Sequence, residues 1–133
     1  MKLAATFLLS WLLSGCVILD AYLMTKYDAN EYKLITDIRA EANRYKEECA
    51  NLDQSKINAK NIVSQTELFM MYSEHVPRNK DVINASKELH EMSKELYERY
   101  NKSNVSTMFC KIKFDNISSS AKKMQSVIGS RPR

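Results

Sequence analysis

Residues 28–52, DANEYKLITDIRAEANRYKEECANL, carry the clearest structural signal in the chain. Asp28 and Glu31 stand three residues apart at its start, in the arrangement of a capping box, which predicts that a helix begins there. The apolar residues that follow recur at intervals of three and four, which places them on one face of that helix. They are Ile35, Ile38, Ala42, Tyr45, Cys49 and Leu52.

The apolar pattern weakens after this stretch and then resumes. Residues 51–61 are largely polar, and Pro77 stops the run because proline lacks an amide donor and pushes the preceding residue out of the helical region. We predict one helix over residues 29–74, kinked near residues 56–61. Its length would be about 70 Å at 1.5 Å per residue. The apolar residues of its second half are Ile62, Val63, Leu68, Phe69, Met70 and Tyr72.

Two shorter helical stripes follow. The first is capped by Asn79 or Asp81 and ends near Asn101, and the second ends at Gly129, placed as a C-cap glycine. Residues 105–114 leave a strand open as an alternative, because apolar residues alternate with lysines there, but the unbroken stripe that follows favours a helix. The stripes are Val82, Ala85, Leu89, Met92 and Leu96, then Cys110, Phe114, Ile117, Ala121, Met124 and Ile128.

Composition favours helices over sheets. The 133 residues include two glycines and two prolines, and neither Asn-Gly nor Asp-Gly occurs, whereas multi-stranded sheets need frequent turn residues. We therefore expect an all-α fold, an elongated three-helix bundle or helical hairpin. The formal net charge of +4 is mild and both signs are interleaved, so nucleic acid is not an expected partner.

The first 15 residues have the pattern of an export signal. Lys2 precedes an apolar run, and small residues precede Cys16. A transmembrane helix is the alternative, because the uncharged stretch covers residues 3–19, near the lower limit for crossing a bilayer.

The tetrad Leu13-Ser14-Gly15-Cys16 resembles the lipobox of bacterial lipoproteins at all four positions. The resemblance implies that the Cys16 thiol carries a diacylglyceryl group, that the chain is cut before it, and that the new amino terminus is acylated. Membrane lipid is then the first partner, and attachment through three acyl chains would be effectively permanent. The chain accordingly divides into a signal peptide (residues 1–15), a lipidated membrane-proximal segment (16–27), a helical periplasmic domain (28–129) and a basic tail (130–133).

The same resemblance predicts a location. Enterobacterial lipoproteins are retained in the inner membrane by an Asp after the lipidated cysteine, and Val17 occupies that position here. An outer-membrane anchor with the body facing the periplasm is therefore expected, with an inner-membrane anchor as the alternative. The body is also similar to small phage-encoded lipoproteins in residues 26–32, KYDANEY, and 128–133, IGSRPR, a likeness that assigns no activity.

An exported location also predicts a disulfide. Lipidation consumes Cys16, which leaves Cys49 and Cys110 as an even pair in an oxidising compartment. Both fall on apolar stripes, so two buried free thiols would be expected in a reducing compartment instead. Closing a loop of about 60 residues stabilises a fold by around 4 kcal/mol in the chain-entropy model.

No catalytic residue, metal or cofactor is predicted. His90 begins a segment, HEMSK, that starts like a zinc-protease motif, but Lys94 stands where the second histidine ligand is needed. His75 lies at a predicted helix end, where an imidazole can cap carbonyl groups. The carboxylates alternate with basic residues as they do on a solvated helix face. We expect a protein without enzyme activity.

The chain is basic after Asp115. These cations can form a solvated tail, or they can contact an anionic partner such as a phospholipid, lipopolysaccharide or cell-wall polymer. The candidates are Lys122, Lys123, Arg131 and Arg133. If the lipobox were coincidental, four Asn-x-Ser matches would suggest a glycosylated secreted protein of a eukaryote instead. They are at Asn84, Asn101, Asn104 and Asn116.

These features together predict a membrane-anchored periplasmic lipoprotein that acts as a structural or interaction module. Its partner would be an envelope protein or an anionic envelope polymer. Two alternatives remain open: a spanin-like lysis lipoprotein that bridges the two membranes, and a phage-encoded surface modulator that blocks superinfection. The sequence does not predict an oligomeric state.

Overall fold

The computed structural model describes residues 24–133, which fold into four helices with no strand among them. The helices are α1 (Ala29–Glu47), α2 (Leu52–Glu74), α3 (Lys80–Lys102) and α4 (Thr107–Gly129). Short loops make consecutive helices antiparallel, and each packs on its neighbours along the chain. Helix α4 also packs on α1, which closes a four-helix bundle. The expected all-α class is confirmed for this part of the chain.

The bundle has four helices because the predicted helix over residues 29–74 is broken. Its break lies at residues 48–51, and residues 56–61 belong to a continuous α2, so the predicted kink is wrong. Asn51 supplies the N-cap, and its side-chain oxygen accepts from the Gln54 amide at 3.0 Å. This cap satisfies an amide that a helix start leaves unpaired, and folding back lets α2 bury a face against α1. Leu52, predicted on the α1 stripe, is 45% exposed as a result.

The segment over residues 105–114 is helical from Thr107 onward, so the strand alternative is wrong. Ser106 caps α4 by accepting from the Phe109 amide at 3.1 Å. The predicted role of Gly129 also needs correction. It is the last residue of α4, the C-cap is Ser130, and Gly129 has no positive φ. Its lack of a side chain matters for packing instead.

The core combines two kinds of helix pair. Helices α1 and α4 pair through large side chains, and their predicted stripes are buried except for Leu52. Helices α2 and α3 pair through stripes in which small and large residues mix, which lets the backbones approach closely. Those stripes are Ser55, Ala59, Ile62, Thr66, Phe69 and Ser73 on α2, and Val82, Ser86, Leu89, Ser93, Leu96 and Tyr100 on α3. Periodicity of apolar residues alone had placed Ala85 and Met92 on the α3 face, and both are half-buried.

The predicted disulfide between Cys49 and Cys110 is confirmed. It joins the residues after α1 to the first turn of α4, with a Cα to Cα distance of 5.8 Å. That distance is ordinary for a disulfide. Between residues 24 and 133, no helix has the length and apolar character needed to cross a membrane.

Candidate functional site

The topology brings three separate segments to one end of the bundle. They are residues 24–28, 75–79 and 130–133, and we call this surface the Arg131 end. The opposite end, formed by residues 48–51 and 103–106, is called the disulfide end. Cys16, the predicted lipidation site, lies outside the described residues. The described chain starts at the Arg131 end, so a lipid on Cys16 would be attached on this side.

Hydrogen bonds to backbone carbonyls join the three segments of the Arg131 end. The Tyr27 amide donates to the Pro132 carbonyl at 2.9 Å. The Thr25 hydroxyl donates to the carbonyl of Arg78, a residue in the left-handed region with φ of 60°. A non-glycine residue in that region costs on the order of 1 kcal/mol or more, so surrounding contacts must hold the turn in place. The start and the end of the described chain are therefore parts of one surface.

A buried polar cluster lies beneath this surface and consists of Glu31, Asn79 and Arg131. The Arg131 guanidinium is 2.6 Å from one carboxylate oxygen of Glu31, and its second nitrogen donates to the Asn79 side-chain oxygen at 2.6 Å. The Asn79 side-chain nitrogen donates to the other Glu31 oxygen and, at 3.0 Å, to the Ser73 carbonyl. Glu31 is 0% and Asn79 is 3% exposed. Each charge thus has partners, which a buried ion pair requires.

Glu31 departs from its predicted role in a capping box. Asp28 does cap α1, because its side chain accepts from the Glu31 amide at 2.8 Å. The Tyr72 hydroxyl also donates to the Asp28 carboxylate, at 3.0 Å, and so ties α2 to this cap. The Glu31 side chain turns into the bundle to meet Arg131. Asn79 likewise stands at the predicted N-cap position of α3, but it makes no capping bond because its side chain serves the buried cluster.

The four predicted basic contact residues do not form one patch. The side chain of Arg131 is only 8% exposed and is paired with Glu31, which separates it from the other three. The Arg133 guanidinium lies over the Tyr27 ring, 4.9 Å from its centroid, at the Arg131 end. Lys122 and Lys123 are exposed on α4, about two turns before its end. Only these two lysines remain together as a candidate contact for an anionic partner.

A shallow cleft of about 330 Å³ opens at the Arg131 end. Met24 lies at its edge and is 51% exposed. The lining mixes apolar and charged side chains. The lining residues are Met24, Lys26, Tyr27, Asp28, Val76, Pro77 and Arg78.

The backbone amide of His75 and the imidazole of His90 each have a hydrogen-bond partner. His75 stands at the C-cap of α2, the helix end predicted for it, and the donor to the Tyr72 carbonyl there, at 3.0 Å, is its backbone amide. His90 Nδ1 lies 3.1 Å from the Thr66 hydroxyl oxygen. The Thr66 hydroxyl also lies within hydrogen-bond distance of the carbonyls of Ile62 and Val63 in its own helix. Within residues 24–133, no three His, Cys, Asp or Glu side chains are grouped so as to hold a metal ion.

Two buried tyrosines have altered acidity. Burial raises the pKa of Tyr45, and the partial counteraction comes from a hydrogen bond with Asn61. Burial also raises the pKa of Tyr100, whose hydroxyl donates to the Ser55 hydroxyl at 2.9 Å. The cause in both cases is that the phenolate form loses solvation inside the bundle. Both rings therefore act as neutral packing elements at ordinary pH.

Comparisons with family models, with curated proteins and with solved structures found no match to this chain.

Sequence reasoning missed the buried cluster, although one signal was available. Counting back four residues along the apolar stripe from Ile35 reaches Glu31, a carboxylate on the face that enters the core. Such a residue needs a buried cation. Nothing local identified Arg131, one hundred residues away, as that cation.

Proposed function

We propose that this chain is a lipoprotein of the bacterial cell envelope, anchored through Cys16, whose four-helix body is a non-enzymatic interaction module. The disulfide is the observation that carries this proposal. Cys49 and Cys110 are paired across α1 and α4, and such a bond persists in an oxidising compartment. The remaining cysteine then stands at the lipidation position of a lipobox-like tetrad.

The arrangement of the two ends supports an anchored body. The described chain begins at the Arg131 end, so acyl groups on Cys16 would hold the molecule on that side. The disulfide end would then project from the membrane and present the outer faces of the helices. We propose the outer membrane, with the body in the periplasm, and an envelope protein or polymer as the partner.

The contacts of the buried carboxylate Glu31 support a non-enzymatic role. Glu31 is 0% exposed and is paired with Arg131. A general base needs a free lone pair that faces a substrate pocket, and the buried Glu31 carboxylate meets neither condition. The role of the body is therefore proposed to be contact through its surface.

Bridging of the two membranes is a weaker candidate. A continuous helix over residues 29–74 would reach about 70 Å, whereas helices of 23 residues reach about 35 Å. Folding back at residues 48–51 therefore halves the reach, and a spanin-like role would need a partner to supply the rest.

The intact mass of the membrane-extracted protein tests the anchor. We expect the mass of residues 16–133 plus acyl groups, and a gain of two protons on reduction as the disulfide opens. Cys16→Ser should abolish acylation and release the protein from the membrane fraction. Val17→Asp is the matched control, because it should keep the acyl groups and change only the membrane in which the protein is found. An unacylated wild-type protein would refute the proposal.

A further inference from the structure

The Arg131 end exposes apolar side chains beside cations. Met24 belongs to this end and is 51% exposed. Met71 and Val127 lie next to it, in the last turns of α2 and α4, and are 54% and 53% exposed. Lys26 and Arg133 are exposed at the same end. We propose that this end lies directly on a phospholipid bilayer surface, with Met24 and Pro77 in the headgroup region. The inference rests on the proposed lipid anchor and adds an orientation and a contact surface to it.

The length of chain before the bundle limits how far this end can stand from the membrane. Seven residues, 17–23, separate Cys16 from Met24. Fully extended, they span at most about 25 Å. Six of the seven are apolar or aromatic, and transferring such side chains from water to the membrane interface is favourable. A tether that itself favours the interface draws Met24 to the bilayer surface.

The Arg131 end is also built as a single surface. The bond from the Tyr27 amide to the Pro132 carbonyl joins the first and last segments, and Arg131 and Glu31 are joined beneath it. Asn79 attaches the α2 to α3 loop to the same cluster. The three segments must therefore meet a membrane together, which adds their contact areas in one binding event.

Apolar contact has to contribute most of the attraction, since the charge of this end is mixed. The charge of Arg131 is cancelled by Glu31. The exposed cations at or next to this end, Lys26, Arg78, Lys80 and Arg133, are matched in part by the carboxylates Asp28, Glu74 and Asp81. Side chains such as Met24 and Tyr27 suit the interface because they place an apolar body beside polar headgroups. A weak dependence of the contact on salt follows from this balance.

Single tryptophans provide a direct test. The one tryptophan of the chain is Trp11, which lies in the predicted signal peptide, so the acylated chain would contain none. We would place Met24→Trp and Asn104→Trp separately into the full chain, and reconstitute each acylated protein into vesicles of phosphatidylethanolamine and phosphatidylglycerol with brominated acyl chains. Asn104 is the matched control, an exposed residue in the loop of the disulfide end.

We expect the Met24→Trp emission to be blue-shifted and quenched by the brominated lipid at least threefold more than that of Asn104→Trp. Pro77 lines the same cleft, so Pro77→Trp should show the same blue shift and quenching as Met24→Trp. Agreement between the two variants would show that the result does not come from a folding defect in one of them. Equal, weak quenching at all three positions in an acylated protein would overturn the contact while leaving the anchor intact. Shielding of Met24→Trp from both brominated lipid and aqueous iodide would also overturn it, since a protein would then cover this end. Absence of acylation would instead refute the proposed function.

Discussion

Arg131 and Glu31 are one hundred residues apart in the chain, and their side chains meet at 2.6 Å in the interior of the bundle. Glu31 lies in the first turn of α1, and Arg131 lies just beyond α4. Their contact joins the two ends of the described chain, and Asn79 brings the α2 to α3 loop into the same cluster. Arg131, predicted to belong to a basic tail, is thus a structural residue of the bundle.

Removing Arg131 should strongly destabilise the fold. Arg131→Ala leaves the Glu31 carboxylate buried without its cation, which costs about 3–5 kcal/mol. Urea unfolding followed by circular dichroism measures the loss. Arg133→Ala is the control, because its guanidinium lies on the surface over Tyr27 and should change stability by less than about 1 kcal/mol. Equal effects of the two substitutions would contradict a structural role for the buried pair.

Removing the disulfide should also reduce stability. The double variant Cys49→Ala with Cys110→Ala frees a loop whose ends are 61 residues apart, with an expected loss of about 4 kcal/mol. The far-ultraviolet spectrum should stay helical, since Cys49 and Cys110 are only two of the side chains in the buried core. Chemical reduction of the wild type should lower the urea midpoint in the same direction. Two free thiols in the oxidised wild type would show that the pair is not bonded in solution.

Gly129→Ala should destabilise the protein although alanine favours helices. A Cβ at this position would lie 2.9 Å from Cε2 of Tyr32. That ring cannot move freely, since it contacts Tyr27 and its hydroxyl accepts from Gln125. Overpacking of this kind costs about 1–3 kcal/mol, more than the ~1 kcal/mol gained in helix propensity.

The control for this packing effect is Ser119→Ala, at an exposed position of the same helix, which should be neutral or slightly stabilising. Combining Gly129→Ala with Tyr32→Ala should remove the clash, so the glycine substitution should cost much less in that background. A stabilising Gly129→Ala in the wild-type background would indicate that Tyr32 can give way. Thermal unfolding measures the stability of the wild type, the three single variants (Gly129→Ala, Ser119→Ala and Tyr32→Ala) and the double variant.

Stability should fall in alkaline solution. The pKa values of Tyr45 and Tyr100 are raised in the folded protein, chiefly by burial. The folded state therefore holds these protons more tightly than the unfolded state. The contribution is fully present below the unfolded value, about pH 10, and is lost as the pH rises above it. Tyr100→Phe should flatten this decline, which urea midpoints between pH 8 and 11 would measure; an unchanged slope would contradict the assignment to Tyr100.

Lys122 and Lys123 are predicted to contact an anionic envelope polymer. Replacing both with Gln should weaken binding of the purified body to peptidoglycan or lipopolysaccharide at low salt, and added salt should remove the difference. Gln substitutions at Lys87 and Lys102, two exposed lysines of α3, provide a control of equal charge change. If both pairs have the same effect, the α4 lysines contribute only net charge.

The sequence alone was sufficient where information is local. The intervals of three and four placed the α1 and α4 faces correctly, because residues on one side of a helix are defined by its turn. The disulfide could be inferred from two cysteines on such faces and from the predicted compartment. The end of α2 at Glu74, three residues before Pro77, likewise follows from the covalent structure of proline.

Other features were decided only by the tertiary structure, because they depend on contacts between residues that are far apart in the chain. Residues 48–51 could continue the first helix or turn the chain back. Turning back loses a few helical hydrogen bonds, and the apolar area that α2 buries against its neighbours offsets this loss. The partner of Glu31 was likewise decided by the tertiary structure, since the local pattern places this residue both at a capping position and on the apolar face but names no cation for it. Only the folded bundle brings Arg131 to it, because an ion pair between residues far apart in the chain is invisible to periodicity and is selected by burial.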